Sequence, residues 1–190
     1  MKDTALIIID IQNDYFPGGK MELNRATEAA EKASDMLTHF REKKFPVFHI
    51  QHESISEGSS FFLPGTAGQK INEKVEPAEN ETIIVKNFPN GFIQTNLLEI
   101  LKTHKIEKLV ITGMMTFMCV DATTRAAKDL GFHCTLIHDA TAARALEFNG
   151  KNVTADQVKT SFLSALSMIC DRVVSSEDFL SGEYICHSNI

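Results

Sequence analysis

Residues 4–10 read TALIIID, a continuous aliphatic run that ends in an acid. An apolar run without alternation is typical of a strand buried on both faces, as in the middle of a parallel sheet. The run therefore predicts a first, central strand whose carboxyl end carries Asp10. Because ligands of parallel α/β sheets bind outside the carboxyl ends of the strands, this end is also where a site is expected.

Strands and helices alternate along the rest of the chain. Further strands are predicted at residues 47–51, 82–86, 109–112, 133–138 and 172–175. The spacing of apolar residues predicts helices at 25–44, 93–104, 119–130 and 155–169. This alternation predicts an α/β fold, with a parallel sheet flanked by helices on both sides.

The long segment at residues 52–80 fits neither the helical nor the strand period. Connections of this length in a compact domain are usually functional or disordered. The aromatic pair Phe61 and Phe62, inside a polar stretch, favours an ordered loop. We expect the pair to pack either over a site or across a subunit interface.

Composition narrows the class of protein. The chain has 190 residues and is predicted to form a single domain over residues 1–190. Its net charge is −6, from 19 basic and 25 acidic residues, and it has no dense basic run, which argues against a nucleic-acid partner. Neither a membrane span nor a signal peptide is recognisable, so we expect no membrane partner and a cytoplasmic location. Four cysteines without a Cys-x-x-Cys pair favour reduced thiols.

Three reactive side chains stand at the carboxyl ends of three predicted strands. Asp10 closes the first strand, Lys86 closes the third, and Cys119 follows the fourth at the predicted start of a helix. A thiol nucleophile, a carboxylate that accepts its proton and a cation that stabilises the charged forms would make a catalytic site. However, a lone Cys in a helix is usually a small buried hydrophobe. The residues alone leave both interpretations open.

The charges of Asp10 and Lys86 would act on Cys119 in opposite directions. At an effective dielectric constant near 20, a unit charge about 4 Å away changes a pKa by about three units. Lys86 would lower the pKa of the thiol, and Asp10 would raise it by a comparable amount. We therefore expect a thiol and a carboxylate that share a proton as a coupled pair.

Three segments of the chain resemble the isochorismatase-like cysteine hydrolases. Residues 6–19 (LIIIDIQNDYFPGG) resemble the first strand of that family, which ends in the catalytic Asp of a D-x-Q-N-D motif. Residues 86–92 (KNFPNGF) are similar to the K-x-x-x-S-A-F segment of the family. Residues 113–126 (GMMTFMCVDATTRA) resemble its G-x-x-T-x-x-C-V-x-x-T-x-R signature. Order and spacing agree over about residues 4–175.

The resemblance implies a Rossmann-like three-layer α/β/α fold with a mostly parallel six-stranded sheet, usually in a homo-oligomer. It implies a hydrolase of amide-type C–N bonds, and the leading interpretation is a cysteine hydrolase that acts on a small amide, imide or carbamoyl compound and needs no cofactor. Carried over by position, Cys119 forms a thioester with the substrate, Asp10 transfers the proton, and Lys86 holds both charges. The oxyanion hole of the family corresponds to the main-chain amides of Met115 and Cys119, after a cis peptide bond that matches Met114–Met115.

Candidate substrate-binding residues lie beside these motifs. Phe16 and Phe92 are the better candidates for the wall of a pocket that takes a flat or apolar acyl group. Met114 and Phe117 are further candidates, although Met and Phe also fill cores. His52, just after the second predicted strand, is expected to be a pocket wall or a hydrogen-bond donor.

No metal is predicted. Nicotinamidases of this family hold a metal with an Asp-x-His pair and another His after the second strand, whereas this chain reads HIQH at residues 49–52. An offset of three residues on an extended strand directs His49 and His52 to opposite faces, so they are poor joint ligands.

Two other features of the motifs are interpreted as structural. Asp121 and Arg125 are four residues apart on a predicted helix, a spacing that favours an ion pair worth about 0.2–0.5 kcal/mol. Gln12 and Asn13 are expected to orient the loop that follows Asp10.

Three alternative functions stay open. A metal-dependent nicotinamidase is disfavoured by the missing ligand pair, and an isochorismatase-type vinyl-ether hydrolase by the presence of Cys119. A non-catalytic binding module is disfavoured because all three residue types of the triad are retained. The segment at residues 90–91 reads NG where the family has S-A, so the sequence leaves the substrate unidentified.

Overall fold

A computed structural model describes residues 3–182 of the chain. Its centre is a six-stranded sheet in which every neighbouring pair of strands is parallel, in the order β3-β2-β1-β4-β5-β8. The strands of this sheet are β1 (Thr4–Ile9), β2 (Val47–His52), β3 (Thr82–Lys86), β4 (Lys108–Met114), β5 (His133–Ala142) and β8 (Arg172–Val174). The prediction of a mostly parallel six-stranded sheet is confirmed.

Helices cover both faces of the sheet. They are α1 (Ala26–Glu42), α2 (Leu97–Thr103), α3 (Asp121–Asp129), α4 (Ala155–Ser167) and α5 (Ser176–Ser181). Helices α1 and α5 contribute to one apolar core, and α2, α3 and α4 contribute to the other. The result is the three-layer α/β/α arrangement that was expected.

Strand β1 lies in the middle of the sheet because both of its faces are apolar. Leu6 and Ile8 belong to the core under α1, while Ala5, Ile7 and Ile9 belong to the core on the opposite face. All six residues of β1 are buried. The unbroken aliphatic run is therefore explained by burial on both sides, and it places the end of β1 at the centre of the carboxyl edge.

Several predicted boundaries are wrong. The helix predicted at residues 93–104 begins only at Leu97, because Gln94 has a left-handed φ of 54° and the Thr95 hydroxyl donates to the Gly91 carbonyl (2.6 Å). Strand β5 extends to Ala142 instead of residue 138, since an irregularity opposite β4 lets pairing resume at Thr141.

Three short elements were not predicted. Strands β6 (Leu146–Phe148) and β7 (Lys151–Val153) form an antiparallel hairpin, and α5 follows β8 directly. The hairpin turns at Asn149 and Gly150, whose φ angles of 51° and 71° suit this residue pair. The carboxylate of Asp139 accepts hydrogen bonds from the backbone and hydroxyl of Ser176, which fixes the start of α5 (both 2.8 Å).

Within residues 3–182, no helix is both long enough and apolar enough to cross a membrane. The single domain over residues 1–190 stays a prediction, and residues 1–2 and 183–190 lie outside the described part of the chain.

Candidate active site

Asp10, Lys86 and Cys119 meet at the carboxyl edge of the sheet. The ammonium group of Lys86 lies 2.6 Å from Oδ2 of Asp10 and 3.3 Å from Sγ of Cys119. Asp10 follows β1, Lys86 is the last residue of β3, and Cys119 lies in the turn after β4. The parallel sheet thus brings together three side chains that are far apart in sequence, as the strand pattern predicted.

This cluster is closed off from solvent. The side chains of Asp10 and Lys86 are fully buried, and Cys119 is 4% exposed. One carboxylate oxygen of Asp10, Oδ2, accepts from Lys86, while Oδ1 is buried and has no hydrogen-bond partner among the described residues. A buried carboxylate oxygen without a hydrogen bond costs free energy. Oδ1 is therefore free to accept a hydrogen bond or a proton from a donor that enters the site.

The surroundings favour a protonated thiol and a protonated amine. Burial and the charge of Asp10 raise the pKa of the Cys119 thiol well above its usual range, and Lys86 opposes them. Burial lowers the pKa of Lys86, but the charges of Asp10 and Cys119 outweigh it and raise that pKa. The opposing action of Asp10 and Lys86 on the thiol agrees with the sequence argument. Burial decides the balance in favour of the neutral thiol.

Cys119 does not stand at the start of a regular α-helix, which corrects the sequence prediction. It is the fourth residue of a π-helical turn, Thr116–Val120, that runs on into α3. A π-helical turn is rare and is frequently found at functional sites. The hydroxyl of Thr116 donates to the Ala142 carbonyl (2.9 Å), which ties the turn to the end of β5.

The peptide bond between Met114 and Met115 is cis, as the resemblance implied. It follows Gly113, which has a φ of 135° and lies so close to the Ile9 carbonyl that a Cβ atom has no room there. The backbone N–H of Met115 has no acceptor among the described residues. It is therefore available to a ligand, but its role in an oxyanion hole, like that of the Cys119 amide, stays a prediction.

His52 joins the cluster from the end of β2. Its Nδ1 lies 3.0 Å from the ammonium nitrogen of Lys86, and the two residues are paired in register across β2 and β3. Burial, and then the charge of Lys86, lower the pKa of His52, so its imidazole is neutral near neutral pH.

Gln12 fixes the backbone of His52. Its side-chain oxygen accepts from the His52 N–H (2.7 Å), and its side-chain nitrogen donates to the His52 carbonyl (2.9 Å). The amide of Asn13 donates to the Ala67 carbonyl at 3.0 Å. Both residues orient loops around Asp10, which confirms the structural interpretation. The ion pair between Arg125 and Asp121 is also present, with distances of 2.9 and 3.0 Å.

The apolar candidates occupy different surroundings. Phe16 is almost buried and packs in the core under α1. The ring of Phe92 is stacked on Phe132, with centroids 6.2 Å apart, and Phe117 contacts Phe162. Met114 is fully buried in the core, so its side chain has a packing role in this structure. Substrate binding by Phe16, Phe92, Met114 and His52 stays a prediction.

Tyr15 was missed by the sequence argument. It is 1% exposed, and burial together with the charges of Cys119 and Asp10 raises its pKa well above the usual range. The centroid of its ring lies 4.6 Å from that of the Phe62 ring, and the two rings meet edge to face. The sequence offered a signal for this position, because Tyr15 lies within the first motif, close to Asp10, and Phe62 belongs to the aromatic pair of the long connection.

The long connection between β2 and β3 packs over this site. The centroid of the buried Phe62 ring lies 6.0 Å from that of His52. Asp14 holds the connection down, because its Oδ2 accepts from the Phe62 N–H (2.7 Å) and its own N–H donates to the Gly68 carbonyl (2.9 Å). The aromatic pair was expected to pack either over a site or across a subunit interface, and Phe62 packs over the site.

The donors around Cys119 do not fit a resident metal ion. Among residues 3–182, Asp10, His52 and Cys119 form a group whose ligand atoms lie within 4.8 Å of one another. Each of the three contacts the ammonium of Lys86, which occupies the place of a cation between them. His49 points to the other face, where its Nε2 lies 2.9 Å from Glu81, so it does not extend this group.

Comparison with known proteins identifies the family. The isochorismatase domain model matches residues 4–162. An isochorismatase family protein of Bacillus subtilis is 45% identical over 177 residues, which are 93% of this chain and 98% of that protein. A crystal structure assigned to the isochorismatase hydrolases, from Oleispira antarctica, has 45% identity and a TM-score of 0.91, covering 95% of this chain and 97% of that one.

A streptothricin hydrolase of Streptomyces noursei is more distant, at 30% identity over 138 residues, which are 73% of this chain and 54% of that protein. The domain model and the two relatives at 45% identity indicate the same family as the three sequence motifs, and the sheet order is consistent with it. The chain belongs to the isochorismatase family.

Proposed function

We propose that this isochorismatase-family hydrolase is a cysteine hydrolase that cleaves an amide, imide or carbamoyl C–N bond of a small molecule through a thioester at Cys119. One observation carries the proposal: a buried thiol and a carboxylate with one free oxygen both lie within hydrogen-bond distance of the same buried ammonium. The relatedness to a streptothricin hydrolase supports the hydrolase class.

The first half of the reaction forms the thioester. Oδ1 of Asp10 accepts the thiol proton while Sγ attacks the carbonyl carbon, which gives a tetrahedral oxyanion. Lys86 favours this transfer, because the developing thiolate gains the attraction of the ammonium as Asp10 is neutralised. The intermediate collapses when Asp10 returns the proton to the leaving nitrogen, so the C–N bond breaks and an amine departs.

The second half releases the acid. Asp10, again a carboxylate, accepts a proton from water, and the hydroxide attacks the thioester carbon. Collapse of the second tetrahedral intermediate breaks the C–S bond, and the thiolate takes back the proton from Asp10. The main-chain amides of Met115 and Cys119 would stabilise both oxyanions, and the loss of one such donor typically costs about 2.7–4 kcal/mol.

The buried position of the cluster suits this chemistry. A thiol kept neutral in the free enzyme is protected from unrelated electrophiles, and water excluded from the site strengthens each electrostatic contact. We further propose that Phe16, Phe92, Met114 and His52 line the acyl pocket and that the protein works as a homo-oligomer.

A screen of small primary amides, ureas and cyclic imides tests the proposal. Ammonia release reports the amides and ureas, and the loss of imide absorbance reports the imides. The wild type should turn over at least one compound, and Cys119→Ala should remove that activity. Cys170→Ala is the matched control, because Cys170 is half-buried and lies outside the cluster. Turnover that survives Cys119→Ala would contradict the proposed mechanism.

A further inference from the structure

The ammonium of Lys86 makes one hydrogen bond with each of its three N–H groups. Its acceptors are Oδ2 of Asp10 at 2.6 Å, Nδ1 of His52 at 3.0 Å and Sγ of Cys119 at 3.3 Å. A lysine ammonium has three donors and no acceptor. When all three donors are used, Nδ1 of His52 must present its lone pair and cannot carry a proton.

The proton of the neutral imidazole must then be on the other ring nitrogen. A neutral imidazole carries one N–H, and the partner of one nitrogen decides which nitrogen keeps the proton. The lowered pKa of His52 and the raised pKa of Lys86 agree with this assignment of protons. Lys86 therefore selects the tautomer of His52 in which Nε2 is a donor.

This donor has no hydrogen-bond partner within the described part of the chain. The hydrogen bonds of His52 use its backbone N–H, its carbonyl and Nδ1, and none uses Nε2. Gln12 holds the main chain from both sides and Lys86 holds the ring, so the direction of the Nε2–H bond is fixed. The residue is only half-buried, unlike the fully buried Asp10 and Lys86.

The distance from the nucleophile makes this donor relevant to a substrate. One ring nitrogen of His52 lies within 4.8 Å of the Cys119 sulfur, and Nε2 belongs to the same five-membered ring. A hydrogen bond adds about 3 Å of reach. An oxygen atom a few bonds from the carbon that Cys119 attacks would therefore be within reach of Nε2.

We propose that His52 is a specificity-determining residue: Lys86 fixes its Nε2–H tautomer, and Nε2–H donates to a carbonyl or carboxylate oxygen on the acyl part of the substrate. The inference rests on the proposed function, since the acyl part is defined by attack at Cys119. It assigns the substrate class as amides, imides or carbamoyl compounds that carry a second oxygen acceptor close to the scissile carbonyl.

The tautomer is tested without any substrate. In protein labelled with ¹⁵N-histidine, a long-range ¹H–¹⁵N correlation spectrum should show an unprotonated Nδ1 and a protonated Nε2 for His52 between about pH 6.5 and 8. The His52→Asn variant, which lacks these signals, assigns them. A protonated Nδ1 at neutral pH would overturn the inference and leave the proposed function standing.

The donor role is tested with two alkylating agents that both attack the Cys119 thiol. Iodoacetate carries a carboxylate that can accept from Nε2–H, whereas allyl iodide carries no acceptor. The ratio of their inactivation rates should fall about tenfold or more in His52→Asn, because a hydrogen bond to a charged acceptor is lost. The Asn carbonyl can still accept from Lys86, so the cluster itself keeps its three contacts.

His104→Asn is the matched control, since His104 is exposed at the end of α2 and takes no part in the cluster. Its rate ratio should equal that of the wild type. An unchanged ratio in His52→Asn would overturn the donor role. Failure of the proposed function is seen separately, as turnover that survives Cys119→Ala, and the inference would then fail with it.

Discussion

Replacing Asp10 by Asn is expected to make the Cys119 thiol more reactive while it abolishes hydrolysis. In the wild type, burial and the Asp10 charge keep the thiol protonated against the attraction of Lys86. The Asn variant removes the opposing charge and leaves Lys86 in place. The thiolate then replaces the carboxylate as the partner of the buried ammonium, whereas turnover stops because nothing accepts and returns the proton.

The size of the effect follows from the geometry. The ligand atoms of Asp10 and Cys119 lie within 4.8 Å. At an effective dielectric constant near 20, a charge at this distance contributes about 3.5 kcal/mol, or about 2.5 pKa units. Part of the gain in thiolate is offset, because a thiolate becomes less nucleophilic as its pKa falls, with a Brønsted coefficient of about 0.4–0.5. We therefore expect alkylation near pH 8 to be about 20-fold faster.

The assay is the rate of iodoacetamide modification at Cys119, followed by mass spectrometry from about pH 6 to 10. Removing one partner of a buried ion pair can cost about 3–5 kcal/mol, so urea unfolding must confirm that the variant is folded. Asp121→Asn is the control, because that carboxylate pairs with Arg125 instead of Lys86 and its loss should leave the rate unchanged. If a folded Asp10→Asn variant reacts no faster than the wild type at any pH, the Asp10 charge does not keep the thiol protonated.

Three further substitutions test the supporting structure. Burial raises the pKa of Glu81, but hydrogen bonds, that from Arg41 first, outweigh burial and lower this pKa from 4.5 to about 2. The ionised carboxylate therefore stabilises the fold above about pH 4.5, and this stabilisation is lost as the pH falls toward 2. In urea unfolding, Glu81→Gln should lose less stability than the wild type over this pH interval, and an equal loss would contradict the assignment. Gly113→Ala should lower the free energy of unfolding by more than about 3 kcal/mol because its Cβ would meet the Ile9 carbonyl, and normal stability in urea would show that the strands can separate there. Phe62→Ala should cost about 3–5 kcal/mol in the same assay because its ring is fully buried, whereas a cost below about 1 kcal/mol would mean that the long connection is not packed on the site.

The sequence was most informative where the physical signal is local. The aliphatic run of β1 is buried on both faces, and the residues at the carboxyl ends of β1, β3 and β4 converge because parallel strands end at one edge. The positions of Asp10, Lys86 and Cys119 could therefore be predicted from pattern and spacing. The cis peptide bond at Met114 could not be derived from spacing and came only from the resemblance.

Features that depend on packing between distant segments could not be predicted. Nothing in the sequence around Cys119 distinguishes a π-helical turn from the first turn of an α-helix. Phe62 packs against Tyr15, and its backbone N–H donates to the carboxylate of Asp14. These contacts join residues about 50 positions apart, and sequence periodicity describes only local structure. The Asn149–Gly150 turn could have been predicted, in contrast, because an Asn-Gly pair between two short runs is a sequence signal for a β-hairpin.

The proposed mechanism requires that the sulfur of Cys119 carries the acyl group during turnover. The most direct measurement is acid quenching of the enzyme with a compound that it hydrolyses, followed by intact-protein and peptide mass spectrometry. We expect an added acyl mass on the peptide that contains Cys119, and this mass should be lost on treatment with hydroxylamine, as a thioester is. An acyl mass on another residue, or full turnover by Cys119→Ala without any adduct, would contradict it.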